Sequence, residues 1–170
     1  MLVGFKAKNH QQQTKKRGAD DGVDERITLP EIFAPLHAVH GFTIDAAANA
    51  QNTRCQRFFD KQVDGLIQTW AREIVWCNPP YSNLYAWVAK AISETRAECP
   101  KVVMLLPANR CEQKWWQELI EPTRDAGRGI KTKFLRGRPR FGWPAGRVVP
   151  KKGDRPPFGL VVVEFTKEKK

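Results

Sequence analysis

The sequence contains no apolar run near the roughly 20 residues that a membrane-spanning helix needs, and no signal peptide opens it. Acidic residues are also few, with 18 Asp and Glu against 29 Lys and Arg and a formal net charge of +11. This imbalance favours a polyanionic partner, with nucleic acid ahead of an acidic membrane surface. At 170 residues the chain is long enough for one domain with a sizeable core. The charge thus favours a nucleic-acid partner, and mere solubility is the alternative. We predict no membrane partner and no evident obligate protein partner.

Metal-binding patterns are missing as well. The four cysteines form no CxxC pair, and two of them lie in or beside apolar segments. The three histidines, His10, His37 and His40, show no partner pattern, so we assign them no role. We predict reduced thiols in a cytoplasmic protein, without a zinc site or any other metal.

The first part of the chain lacks apolar periodicity. Residues 1–24 are polar and basic, which predicts a disordered arm ahead of a single domain formed by residues 25–170. Order is expected to begin at Thr28 and Glu31, which have capping-box spacing. The short helix that follows contains Pro35, which must kink or restart it.

The rest of the chain is a series of short apolar segments. Five of them have the composition of buried strands, at residues 41–45, 73–77, 101–107, 130–135 and 160–165. Apolar residues at helical spacing predict helices over residues 83–98 and 112–120. This order indicates an α/β fold in which a mostly parallel sheet is flanked by helices.

A long basic connection separates the last two predicted strands. Residues 131–157 contain nine Lys and Arg, one acid, four Gly and five Pro. This composition predicts a functional loop at about residues 136–157 that contacts nucleic-acid phosphates, with a merely solvated loop as the alternative. Trp143 either stacks on the nucleic acid or seals the loop against the domain. The candidate contact residues are Arg136, Arg138, Arg140, Trp143, Arg147, Lys151 and Lys152.

The second predicted strand ends in a rigid corner, Asn78-Pro79-Pro80-Tyr81. Ligands of open α/β sheets bind at the carboxyl ends of the strands, where this corner and Asp45 both lie. The prolines hold the Asn78 side-chain oxygen and the Pro79 carbonyl in a fixed relation. These two acceptors can hold both hydrogens of an exocyclic amine while Tyr81 stacks on the attached ring. The corner therefore suits a nitrogen that is made nucleophilic, and a purely structural turn is the alternative.

Asn-Pro-Pro-Tyr after an apolar strand is also the signature of amino-methyltransferases that use S-adenosyl-L-methionine. The segments GFTIDAAANAQNTRCQRFF, VDGLIQTW, IVWCNPPYSN, VVMLLPANR and FLRGRPRFG occur in the order typical of one such family. Over residues 26–165 the chain resembles the small phage-type DNA N6-adenine methyltransferases. The resemblance implies a Rossmann-like class I methyltransferase fold and a bacterial or phage-infected host cell. It also implies methyl transfer from S-adenosyl-L-methionine to N6 of adenine in double-stranded DNA, with the base turned out of the duplex.

The resemblance also implies roles for individual residues. The residues implied to hold and activate the target amine are Asn78, Pro79, Pro80 and Tyr81. Those implied to bind the cofactor are Thr28, Pro30, Asp45, Ala46, Ala47, Asp60 and Asp64. The chain departs from the family where Ala46-Ala47-Ala48 replace a glycine-rich turn. It departs again where the strand that normally precedes the ribose-binding acid is abbreviated or absent. We therefore expect a shortened cofactor half.

Two other functions remain open from the sequence. The same corner occurs in methyltransferases that act on RNA, on N4 of cytosine or on a protein glutamine. A nucleic-acid-binding module without catalysis would also carry the basic loop and a shortened cofactor region. Methyl incorporation and cofactor binding separate these alternatives.

Overall fold

The computed structural model describes residues 27–142, 156 and 158–168, and this part of the chain contains seven β-strands and three α-helices. In chain order they are β1 (Ile27–Thr28), α1 (Pro30–His40), β2 (Ile44–Asp45), β3 (Ile74–Cys77), α2 (Leu84–Arg96), β4 (Lys101–Pro107), α3 (Lys114–Leu119), β5 (Ile130–Phe134), β6 (Phe141–Gly142) and β7 (Leu160–Thr166). Short 3₁₀ turns cover Tyr81–Asn83 and Glu121–Thr123. No helix among the described residues is long and apolar enough to cross a membrane.

Five strands form one sheet in the order β2-β3-β4-β7-β5. The pairs β2–β3 and β3–β4 are parallel, whereas β7 pairs antiparallel with both β4 and β5. The fold is thus mixed α/β, and the prediction of a mostly parallel sheet is wrong for half of the strand pairs. The reason is that β7 inserts between β4 and β5 and runs against them. Apolar periodicity reports which face of a strand is buried but carries no information on its direction.

The sheet is covered by helices on both faces. The central strand β4 alternates between two cores, because successive side chains of a strand point to opposite faces. Val102 and Met104 pack with the tryptophans of α2 and α3, whereas Val103 and Leu105 pack with Phe33 of α1. Burial on both sides leaves the ends of the strands as the places where a ligand can approach the sheet.

Helix α1 begins at Pro30 and continues through Pro35 without a restart. Pro35 costs the helix one backbone hydrogen bond, to the carbonyl of Glu31, since proline has no N–H. Burial of Ile32 and Phe33 against the sheet holds the helix together across that gap. The helix ends at Gly41, whose φ of 67° is a left-handed conformation that glycine adopts without strain.

The chain between β2 and β3 contains no helix and no strand longer than one residue. Phe58 alone forms a parallel bridge with Asp45 on the free side of β2. The Phe59 N–H donates to the Asp45 carbonyl at 2.9 Å, and the Asp45 N–H donates to the Arg57 carbonyl at 2.9 Å. The strand that normally precedes the ribose-binding acid, which we predicted to be abbreviated or absent, is thus a single bridge residue.

Strands β1 and β6 form a separate two-stranded antiparallel pair, in which Ile27 faces Gly142 and Thr28 faces Phe141. The sequence did not predict this pair, because two-residue strands carry no periodic signal. The pairing brings the end of the described basic segment, residues 136–142, to the first described residues, Ile27 and Thr28. The predicted arm at residues 1–24 lies outside the described residues, as do residues 143–155 and 157 of the predicted basic loop.

Candidate active site at the carboxyl end of the parallel strands

The turn after β2 and the corner after β3 are neighbours because the two strands are parallel and in register. Asp45 pairs with Trp76, and the Ala46 N–H donates to the Trp76 carbonyl at 2.9 Å. The turn and the corner therefore lie at the same end of the sheet, beyond the carboxyl ends of β2 and β3. This placement agrees with the general position of ligand sites in open α/β sheets.

A cavity of about 360 Å³ opens between this turn, the corner and the loop at residues 59–65. Its size lies within the range of small-molecule sites, roughly 300–1,000 Å³. Four of the residues implied to bind a cofactor line it, namely Ala46, Ala47, Asp60 and Asp64. Pro80 forms part of the wall, so the cavity and the corner share a boundary.

The loop that carries Asp60 and Asp64 is held by its own carboxylates. Asp60 Oδ1 accepts hydrogen bonds from the N–H groups of Gln62 and Val63, both at 2.9 Å. Asp64 Oδ1 accepts from the N–H of Leu66 at 3.0 Å. Asp64 also adopts a left-handed backbone conformation, with φ of 55°, which Asp tolerates better than most residues. Both acids of this hydrogen-bonded loop line the cavity.

Gly65 lets this loop approach the turn after β2. A Cβ at this position would lie 2.2 Å from the Ala46 carbonyl oxygen and 3.2 Å from the Trp87 ring. Trp70 donates from Nε1 to the Gly65 carbonyl at 2.9 Å and stacks on Trp87. Gly65, Trp87 and Phe59 were not predicted as wall residues, because only the folded chain brings them together around one cavity.

Asp45 lies beneath the turn and does not line the cavity. Its side chain is 3% exposed, and its carboxylate accepts hydrogen bonds from the N–H groups of Ala47 and Arg54, each at 3.3 Å. Burial raises the pKa of Asp45 to about 7, against the smaller opposing effect of these two hydrogen bonds and of the Arg54 charge. The structure therefore gives Asp45 the position of a support for the turn.

The raised pKa of Asp45 predicts that stability falls as the pH rises. The folded protein binds a proton on Asp45 up to about pH 7, whereas the unfolded chain releases it near pH 4. The stabilisation from the proton on Asp45 is thus complete at low pH and is lost as the pH rises through 7. Between pH 5 and pH 8 we expect the free energy of unfolding to fall by about 2–3 kcal/mol more in the wild type than in Asp45→Asn. Urea denaturation of both proteins at the two pH values measures this difference. An equal change in the free energy of unfolding in the two proteins would contradict the prediction.

Asn78 carries an unpaired buried acceptor. Its Oδ1 is buried and accepts no hydrogen bond from any described residue. Its Nδ2 donates to Thr28 Oγ1 at 3.3 Å. Buried acceptors are almost always satisfied, and an unsatisfied one costs about 1–3 kcal/mol. A ligand that donates an N–H at this point would remove that cost.

Tyr81 is fixed at three points around the corner. Its hydroxyl donates to the Leu105 carbonyl at 3.3 Å, and its own carbonyl accepts from Arg110 Nη1 at 3.2 Å. Its ring lies 6.0 Å from the Phe158 ring at 57°. The contacts with Leu105 and Phe158 thus position the Tyr81 side chain, and the contact with Arg110 positions its backbone.

The remaining predicted site residues lie in three places. Pro30 is exposed at the first position of α1, and Thr28 contacts Asn78; neither lines the cavity. Arg136, Arg138 and Arg140 are exposed between β5 and β6. They follow the carboxyl end of β5, at the same end of the sheet as the corner. The predicted contact residues outside the described part of the chain are Trp143, Arg147, Lys151 and Lys152.

Among the described residues, neither thiols nor metal-binding side chains form a recognisable site. All four cysteines are free, and burial raises the pKa of the Cys77 thiol well above its usual range. Within residues 27–142, 156 and 158–168, no group of three or more His, Cys, Asp or Glu side chains is arranged to hold a metal ion.

The fold and the site define an α/β protein with a small-molecule cavity beside an amide acceptor at the carboxyl ends of parallel strands. The family model described as DNA N-6-adenine-methyltransferase (Dam) matches residues 15–141. The chain therefore belongs to the DNA N-6-adenine-methyltransferase family, and the resemblance found in the sequence is confirmed.

Two phage proteins are similar to the chain. The DNA N-6-adenine-methyltransferase of Escherichia phage T1 is 33% identical over 107 residues, which cover 61% of this chain and 44% of the phage protein. The protein of the same description from Haemophilus phage HP1 (strain HP1c1) is 31% identical over 84 residues, which cover 49% of this chain and 48% of that protein. The chain thus spans about half the length of these relatives.

Proposed function

We propose that this chain transfers a methyl group from S-adenosyl-L-methionine to N6 of adenine in double-stranded DNA. The observation that carries the proposal is the buried Oδ1 of Asn78, which has no hydrogen-bond partner among the described residues and lies two positions before Pro80 in the cavity wall. Family membership and the names of the two phage relatives support the same reaction. We also propose that the mixed sheet is a Rossmann-like methyltransferase fold with a shortened cofactor half, formed by residues 25–170 as a single domain.

The cavity residues fit the chemistry of the proposed cofactor. Asp60 lies two positions after the bridge residue Phe58 and lines the cavity, where it is suited to accept hydrogen bonds from ribose hydroxyls. Asp64, on the same wall, is suited to accept from the adenine amino group of the cofactor. Phe59 and Trp87 supply aromatic surface to the same cavity. S-adenosyl-L-methionine, when bound, supplies an electrophilic methyl group.

The corner performs the other half of the reaction. Asn78 Oδ1 and the Pro79 carbonyl accept the two N6 hydrogens of a flipped-out adenine, while the Tyr81 ring stacks on the base. Accepting both hydrogens draws the nitrogen towards tetrahedral geometry and directs its lone pair towards the cavity beyond Pro80. The nitrogen loses a proton to water after transfer, so the corner needs no general base.

Basic residues at the same end of the sheet as the corner suit a DNA substrate. Arg136, Arg138 and Arg140 are exposed and alternate along one segment, so their side chains can follow a row of phosphates. The segment ends at β6, which pairs with β1 next to the corner. We propose that it contacts the duplex around the flipped base together with Trp143, Arg147, Lys151 and Lys152.

The direct test is incubation with labelled S-adenosyl-L-methionine and unmethylated duplex DNA, followed by digestion to nucleosides. We expect the label in N6-methyldeoxyadenosine. Label in N4-methylcytosine, or in RNA but not in DNA, would replace the proposed target by another amine. Absence of both incorporation and cofactor binding by calorimetry would indicate a nucleic-acid-binding module.

Asp64→Asn tests the cofactor wall. Asn tolerates the left-handed backbone and keeps an oxygen for the Leu66 N–H, so the loop should stay in place. Loss of the negative charge should weaken S-adenosyl-L-methionine binding about tenfold, because hydrogen bonds to charged groups contribute about 1.5–3 kcal/mol. Asp125→Asn is the matched control, since Asp125 has the same φ of 55° and does not line the cavity. Equal cofactor affinities of the two variants by calorimetry would remove Asp64 from the site.

A further inference from the structure

Thr28 contacts the corner rather than the cavity. It is 3% exposed, and its Oγ1 accepts the hydrogen bond that Asn78 donates from Nδ2 at 3.3 Å. It is not among the residues that line the cavity next to Pro80. The Thr28 hydroxyl therefore contacts the amide that is proposed to hold the target amine.

The orientation of that amide matters for the proposed reaction. An Asn side chain has one accepting oxygen and one donating NH₂ group, and a rotation of about 180° exchanges them. Only the oxygen can accept a hydrogen from an exocyclic amine, whereas the NH₂ group would face the amine donor to donor. By accepting from Nδ2, the Thr28 hydroxyl leaves Oδ1 as the acceptor that has no partner among the described residues, which is the group that the proposed reaction requires.

Thr28 is itself held from two directions. Arg54 donates from Nε to the Thr28 carbonyl at 2.6 Å, and the Arg54 backbone N–H donates to the Asp45 carboxylate. On the other side, β1 pairs with β6, where Thr28 faces Phe141. Phe141 is buried and follows directly after the exposed Arg140. The threonine thus connects the turn after β2, the corner and the end of the basic segment.

We propose that Thr28 is a positioning residue that holds the Asn78 amide with Oδ1 towards the target amine. The inference rests on the methyl transfer proposed above. It replaces the cofactor-binding role that the family resemblance implies for this residue. A hydroxyl at this place acts on the rate of transfer through Asn78 and leaves cofactor affinity unchanged.

Steady-state kinetics of Thr28→Val and Thr28→Ser on duplex DNA test the proposal. Val keeps the shape of Thr and its preference for strands but removes the acceptor, whereas Ser keeps the hydroxyl. We expect Thr28→Val to lower kcat about tenfold, because one orienting hydrogen bond is lost, with the KM for S-adenosyl-L-methionine unchanged. Thr28→Ser should recover most of the wild-type kcat. If the Val variant does not melt cooperatively, Thr28→Ala is compared with Thr28→Ser in the same way.

The outcomes separate this inference from the function on which it rests. Wild-type kcat in a folded variant without the hydroxyl would overturn the positioning role. So would an unchanged kcat with a raised KM for S-adenosyl-L-methionine, which would return Thr28 to the cofactor. No transfer to DNA by the wild-type protein would instead overturn the proposed function.

Discussion

Asn78→Ala is expected to reduce methyl transfer to adenine by about 10²–10³-fold or more, the usual effect of removing one preorganised electrostatic partner of a transition state. The truncation removes Oδ1, the unpaired acceptor at the corner, and with it one of the two groups proposed to hold the N6 hydrogens. Asn78 does not line the cavity, so the affinity for S-adenosyl-L-methionine should stay within about twofold. Single-turnover transfer to duplex DNA and calorimetric cofactor titration measure the two effects separately.

Asn83→Ala is the matched control for this variant. Asn83 lies five residues further along the same segment, is exposed and makes no side-chain hydrogen bond to the start of α2. Its truncation should leave both transfer and cofactor affinity unchanged. Asn78→Asp adds a second comparison, because the carboxylate keeps an accepting oxygen and should retain more activity than Ala. Wild-type transfer by Asn78→Ala would contradict the proposed role of the corner.

Neutralising Arg136, Arg138 and Arg140 together is expected to weaken DNA binding on the order of 10²-fold at 0.1 M salt. Each phosphate contact contributes about 0.9 to the slope of log K against log salt, so the slope should become shallower by up to about three. The change to Gln retains side-chain length and hydrogen-bonding groups while it removes the charge. Fluorescence anisotropy with a labelled duplex over a range of salt concentrations gives both quantities.

The control for this triple variant carries the same charge change at the opposite end of the sheet. Arg72, Arg96 and Lys167 are exposed and lie near the amino ends of the parallel strands. Their replacement by Gln lowers the net charge by the same three units. If binding depended only on net charge, the two triple variants would weaken it equally. A slope that changes only for Arg136, Arg138 and Arg140 would localise the DNA contact to the predicted segment.

Most of the elements were predictable because their residues have strong, local signals. The strand at residues 101–107 and the helix within residues 83–98 are long, with buried residues at clear spacing, and the structure places β4 and α2 there. The pair β1–β6 and the direction of β7 were not predictable. They depend on which segments meet in three dimensions, and a single segment does not encode its partner.

The candidate site was likewise predictable only in part. The corner at Asn78, Pro79 and Tyr81 was identifiable because two prolines after an apolar strand are rare and restrict the backbone. The cavity walls at Phe59, Gly65 and Trp87 were not, since they come together only when the loop closes on α2. Thr28 was identified as a site residue, but its contact with Asn78 spans 50 positions in the chain.

The sequence by itself determined most of the strands and helices, the rigid corner with its amide and aromatic ring, the excess of positive charge and the family. These properties depend on residue type and short-range spacing, which the chain carries regardless of how it folds. Only the tertiary structure decided that the sheet is mixed, that Asp45 supports a turn, and that the Asn78 oxygen is buried without a hydrogen-bond partner among the described residues. Each of these depends on packing between distant segments, because burial and hydrogen-bond partners exist only after the chain has folded.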